Sequence, residues 1–203
     1  MPFVTFLASA VLISLSGVMA PGPLTAITVR EGNRSPHAGA LIALGHGAVE
    51  IPLMILIFTC FTFLHDTVHA VSVKRIIGIT GGIFLLIMGG CMLISLWKPQ
   101  PEQTVSSSRT AWISGMALSA ANPYFLIWWA TVGAALTLQS AEFGFFGFIL
   151  FACIHWMCDF SWYYLLSFLA YKGGRFFGNR FQKTVAAVCA AVLVYFGIVF
   201  MIG

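Results

Sequence analysis

Ala20-Pro21-Gly22-Pro23 interrupts a run of 28 residues, Pro2 to Val29, that contains no charged side chain. That length exceeds the roughly 20 apolar residues a helix needs to cross a bilayer. Two prolines bracketing a glycine cannot sit in an unbroken helix. Each proline removes an amide donor and crowds the preceding turn, and the glycine loosens the backbone further. In hydrocarbon, the carbonyls so freed are tolerated only where they face protein or a water-filled cavity. A helix broken at membrane depth also opens a new N-terminus with unpaired N–H groups, which makes it a candidate binding site. A packing kink is the plainer reading of the same residues. A cleaved leader ending at Ala20 is disfavoured: no Lys or Arg precedes the apolar stretch, and the stretch is too long for one.

The composition agrees with a membrane chain. Of 203 residues, 60% are hydrophobic and 8% charged, against about 25% charged in ordinary globular chains. No room is left for a separate soluble domain. The formal charge of +4 does not point to nucleic acid, because the basic residues fall in short connections between apolar runs. Cys60, Cys91, Cys153, Cys158 and Cys189 lie in apolar segments with no C-x-x-C, so they read as small packing residues. No cofactor is implied.

Charge-poor runs place six spans at about 3–29, 38–63, 76–97, 111–138, 143–170 and 184–202. The first, third and fifth connections carry Arg30, Arg34, Lys98, Arg109, Lys172, Arg175, Arg180 and Lys183. The other side has Lys74 and Arg75 alone. The positive-inside bias therefore predicts both termini outside the cell.

The Pro-, Gln- and Ser-rich stretch 98–110 divides the chain into two sets of three spans, 1–97 and 111–203. An offset of 109 carries His46 onto His155, Glu50 onto Asp159 and Lys74 onto Lys183. It also carries Gly78, Gly81 and Gly82 onto Ala187, Ala190 and Ala191. Pro23 and Pro123 are 100 apart, so nine extra residues fall between Pro123 and His155. Three spans per half is an odd number, so a repeat would enter the membrane inverted. The predicted fold is an all-α membrane protein of six helices in two inverted repeats, with spans one and four broken at proline, as in secondary transporters.

Glu50 and Asp159 are the only carboxylates inside the predicted spans, each near the middle of its run. A carboxylate at a helix centre costs about 2.5–3.5 kcal/mol on insertion scales, which calls for a partner or a role. Each has a histidine four residues earlier, one turn away on the same face. His46, Glu50, His155 and Asp159 are thus candidates for proton coupling; the plain alternative is a pair of buried hydrogen bonds. The same four side chains offer N and O ligands that suit a divalent metal if the helices converge. His65 and His69 fall in a connection and read as solvated. Gly78, Gly82, Gly89 and Gly90 of span three and the alanines of span six form small-residue faces for close helix packing, a homodimer contact included. Trp128, Trp129, Trp156, Trp162, Tyr163 and Tyr164 fit either a cavity lining or a lipid-interface position.

APGP at 20–23, GALIALGHGAVE at 39–50 and the Lys74-to-Leu93 segment resemble the lysine exporter (LysE/RhtB) family of amino-acid translocators. So do NPYFLIWW at 122–129 and Asp159 followed by Trp162-Tyr163-Tyr164. The resemblance implies export of amino acids or related metabolites across a prokaryotic plasma membrane by proton antiport. It further implies a substrate path at Pro21, Gly22, Pro23, Asn122 and Pro123, with Asn122 adding an amide hydrogen bond. Many members carry an aspartate in the second span, where this chain has His46 and Glu50. A membrane enzyme finds no support, since the sequence has no nucleotide loop, catalytic triad or cysteine pair. ATP-driven pumping is disfavoured because no G-x-x-x-x-G-K-[S/T] occurs.

Overall fold

The computed structural model describes residues 2–20, 22–63, 71–95, 111–173 and 179–202, and every regular element among them is helical. The linker 98–110, together with His65 and His69, lies outside the described residues. Helices α1 (Phe3–Val18) and α2 (Pro23–Gly32) are one apolar run cut at the Ala-Pro-Gly-Pro stretch, and the axis turns by 74° between them. Pro21 lies outside the described residues. Pro23 takes the first position of α2, where its missing N–H is no loss and its φ already suits a helix. Gly22 is extended, a backbone that any residue adopts. The Thr25 hydroxyl donates to the freed carbonyl of Ala20 at 3.3 Å, so that group is not left bare.

α3 (Ala38–Phe63) and α4 (Val71–Ser95) follow. The second part of the chain has the same order. α5 (Ala111–Ala120) stops at Asn122-Pro123 and α6 (Pro123–Trp128) restarts there. Asn122 Oδ1 accepts the Tyr124 amide at 3.1 Å, the usual capping bond. A π-helical turn, Trp129–Gly133, leads into α7 (Ala134–Ala141), and α8 (Gly144–Tyr171) and α9 (Asn179–Ile202) complete the chain. Six of the nine extra residues of the second part therefore fall before α8, and three at its start. Both α4 and α9 begin five residues ahead of the apolar runs at 76 and 184, because polar first turns carry no hydropathy signal.

The packing is crosswise. α1 and α2 lie on α8, α5 lies on α3, α3 packs against α8, and α4 against α9. Close crossings rest on glycine. A Cβ at Gly45 would overlap the Trp112 carbonyl of α5, and one at Gly115 would overlap the Ile42 carbonyl of α3. On the α4–α9 contact, a Cβ at Gly82 would stand 2.7 Å from the Gly197 carbonyl and one at Gly89 3.1 Å from that of Ala190. Gly90 has open space around it and takes no part in this contact. Phe6, Ile13, Met54, Leu85, Trp129, Phe151 and Leu193 join into one apolar core.

By length and composition α3 and α8 can each cross a membrane, and α1 with α2 make a third such length when taken as one broken span. The apolar stretches Ile79–Cys91, Ala111–Ala120 and Ala187–Ile202 are shorter. Leu41, Leu44, Ile55, Leu56, Phe145 and Phe146 point outward from α3 and α8, as lipid-facing side chains do.

Candidate functional site

α3 and α8 bring the two histidine–carboxylate pairs together at the centre of the fold. His46 Nε2 lies 3.2 Å from Glu50 Oε1 and 3.3 Å from Asp159 Oδ2. His155 Nε2 lies 3.2 Å from Glu50 Oε1 and 3.7 Å from Asp159 Oδ2. Imidazole and carboxylate thus alternate around a closed ring of four. Contacts between helices are as short as those one turn apart within a helix. All four residues are at most 4% exposed.

A second circle holds the ring. Ser14 Oγ of α1 lies 2.6 Å from His155 Nδ1, and Ser119 Oγ of α5 lies 2.7 Å from His46 Nδ1. Trp129 Nε1 donates to Glu50 Oε1 at 3.2 Å. Trp128 stacks on the His155 imidazole at 5.3 Å and Trp129 meets it edge-on at 5.1 Å. Phe125 and Tyr163 stand edge-on to His46 at 5.2 and 6.0 Å. The π turn begins at Trp129, so an irregular backbone carries an indole that the ring uses. Trp128 and Trp129 are buried, which decides between the two positions open to them in favour of the interior.

Beside the ring is a cavity of about 60 Å³, whose lining includes Gly17, Leu24, Asn122, Tyr124, Trp128 and the four ring residues. Asn122 is the one described residue of the expected substrate path that lines it; Gly22, Pro23 and Pro123 shape the breaks without facing it. One lone pair of the Asn122 Oδ1 is taken by its cap to Tyr124, and its amide N–H groups and second lone pair are what it can offer a ligand. Glu50 Oε2 and Trp128 Nε1 are buried with no hydrogen-bond partner among the described residues, an acceptor and a donor on the same cavity wall.

His46, Glu50 and Asp159 each place one ligand atom within 4.8 Å of the others. At Zn–N and Zn–O lengths of about 2.0–2.1 Å, the edge of a tetrahedron is about 3.3–3.4 Å. Glu50 Oε1 at 3.2 Å and Asp159 Oδ2 at 3.3 Å from His46 Nε2 stand at that edge, and this N/O donor set suits a borderline divalent cation.

The family model for the LysE type translocator matches residues 15–203. The chain belongs to the LysE type translocator family. This LysE type translocator is therefore a membrane transport protein, and the match takes in both proline breaks and the whole ring. No curated protein and no solved structure matches the chain.

Sequence reasoning named all four ring residues but neither serine. Ser14 and Ser119 are 105 apart, which is neither the 109 of the ring nor the 100 of the prolines. A serine in an apolar helix also passes for packing, since its hydroxyl bonds back to its own helix.

Proposed function

We propose that this translocator is a secondary exporter of amino acids or related small polar metabolites, driven by proton antiport across a prokaryotic plasma membrane. The observation that carries the reading is the closed ring of two imidazoles and two carboxylates beside a cavity between the two broken helices. With two protons beyond one on each imidazole, the ring is electrically neutral; gaining or losing one leaves a net buried charge, which is costly. A cationic amine entering the cavity restores neutrality if the ring gives up a proton. Substrate and proton then compete for one site, which is the requirement of antiport. Each proton entering down the membrane potential supplies about 2.3 kcal/mol per 100 mV.

The cavity of about 60 Å³ has room for a few waters. In this reading α2 and α6 would present their first amides to a substrate carboxylate at the two breaks, and movement of the broken helices would admit it. The shared order of a broken span and two long helices in 3–95 and 111–202 supports two inverted repeats of three spans joined by 98–110. The bias of basic residues supports both termini outside. The metal-sized spacing of His46, Glu50 and Asp159 favours one second reading, in which the cargo is a divalent cation.

A thermal-shift screen of the purified protein against amino acids and divalent cations separates the two, because ligand bound to the folded state raises its apparent stability. Stabilisation by one group of amino acids, with counterflow of the same compounds in proteoliposomes, is the expected result. Stabilisation by divalent cations alone, with no amino-acid counterflow, would overturn the amino-acid reading.

A further inference from the structure

We propose that Ser14 and Ser119 are a matched pair of positioning residues that fix the protons of the ring histidines on Nδ1, so that both Nε2 atoms are the exchanging atoms of the site. Ser14 Oγ is 2.6 Å from the Ala10 carbonyl as well as 2.6 Å from His155 Nδ1. Ser119 Oγ is 2.6 Å from the Gly115 carbonyl as well as 2.7 Å from His46 Nδ1. Two oxygens at 2.6 Å repel unless a hydrogen lies between them, and a carbonyl has none to give. The single hydroxyl hydrogen of each serine is therefore spent on its own helix. The second short contact needs a hydrogen too, and Nδ1 must supply it. Turning either ring over would press a carbon against the hydroxyl at the same distance, inside van der Waals contact.

Both imidazoles consequently keep Nδ1–H in either charge state, and Nε2 carries the change. His155 Nε2 faces Glu50 and Asp159, with the indoles of Trp128 and Trp129 along its ring. His46 Nε2 faces the same two carboxylates, with Phe125 and Tyr163 along its ring. Without the serines, a neutral imidazole could keep its proton on Nε2 and present no lone pair to the cavity. The links run crosswise: α1 holds the histidine of α8, and α5 holds the histidine of α3. Both serines are on broken helices, so a movement of either helix also releases the nitrogen that orients a ring. This assignment deepens the transport reading and rests on it for its consequence, whereas the hydrogen count stands on the geometry.

The test is nitrogen NMR of the purified full-length protein with ¹⁵N-labelled imidazoles, in lipid nanodiscs. Wild-type His46 and His155 should both show a protonated Nδ1 at every pH. Ser14→Ala should release His155 and leave His46 unchanged, and Ser119→Ala should do the reverse. Threonine at either position retains a hydroxyl and should restore the wild-type signal. Each alanine variant should slow gradient-driven transport by about tenfold or more, the usual effect of losing an orienting partner. A neutral wild-type histidine with its proton on Nε2 overturns the proposal without any variant having to fold. Alanine variants with unchanged tautomers also overturn it, even where pH-driven transport is normal. Shifted tautomers in the alanine variants, together with a wild-type protein that itself shows no pH-driven transport, uphold the serine assignment and refute the transport reading.

Discussion

Gly115→Ala should loosen the site without touching any titrating group. A Cβ at Gly115 would overlap the Ile42 carbonyl, and on the reciprocal side Gly45 faces the Trp112 carbonyl. Backbone meets backbone at both points, so no side chain can swing aside. Reaching ordinary contact requires α5 to retreat from α3 by about 1 Å or more. Ser119 bonds to the Gly115 carbonyl itself, and its 2.7 Å link to His46 would stretch past hydrogen-bonding range. Overpacking costs about 1–3 kcal/mol and the lost buried bond about as much again. Replacing glycine in a helix interior returns up to about 1 kcal/mol. A net loss of about 1–6 kcal/mol remains, or about 2–24 °C in Tm for a chain of this size. Thermal unfolding in detergent, followed by near-UV circular dichroism, reads it directly. Gly90→Ala is the control: nothing stands within 4 Å of its Cβ, so that variant should match or slightly exceed the wild type. A Gly115→Ala protein melting within a degree of wild type would refute the close crossing of α3 and α5.

Three further outcomes follow from the same geometry. Pro23→Ala and Pro123→Ala should insert normally yet export at least tenfold more slowly, because continuous helices close the amide ends at both breaks; wild-type export in both would make the breaks mere kinks. Gly82→Leu should lower detergent stability by several degrees or prevent expression, since Gly197 and Met201 leave no room at that position; unchanged stability would place this face away from α9. Trp129→Phe keeps a ring beside His155 but removes the donor to Glu50, so stability should fall by about 1.5–3 kcal/mol in chemical denaturation; no loss would mean that the indole N–H adds nothing.

The chemistry of the site was legible in the sequence to the extent that it repeats along single helices. His46 with Glu50 and His155 with Asp159 are visible because one helical turn joins each pair and one offset joins the two. That they close a single ring was not legible, because it depends on α3 and α8 packing face to face through Gly39 and Ser167. The breaks at Pro23 and Pro123 announced themselves, since proline cannot continue a helix. The π turn did not, for Trp129–Gly133 carries no residue that forbids an ordinary helix. The glycines singled out for close packing from sequence were those of α4, yet the crossings that carry the ring and its serine rest on Gly39, Gly45 and Gly115. Helix contact geometry selects among glycines, and composition alone treats them alike.

In the proposed mechanism Glu50 and Asp159 carry the proton that drives export. Its most direct test is substrate efflux from proteoliposomes under an acid-outside pH gradient, with internal pH followed by a trapped dye. Asparagine and glutamine keep the size of the acids they replace but cannot titrate. Wild-type protein should release substrate faster under the gradient and acidify the lumen as it does. Asp159→Asn and Glu50→Gln should each lose both responses while exchange at equal pH persists. Full gradient-driven efflux and proton entry in both variants, and in the double variant, would contradict the account and leave the ring as a structural clasp between α3 and α8.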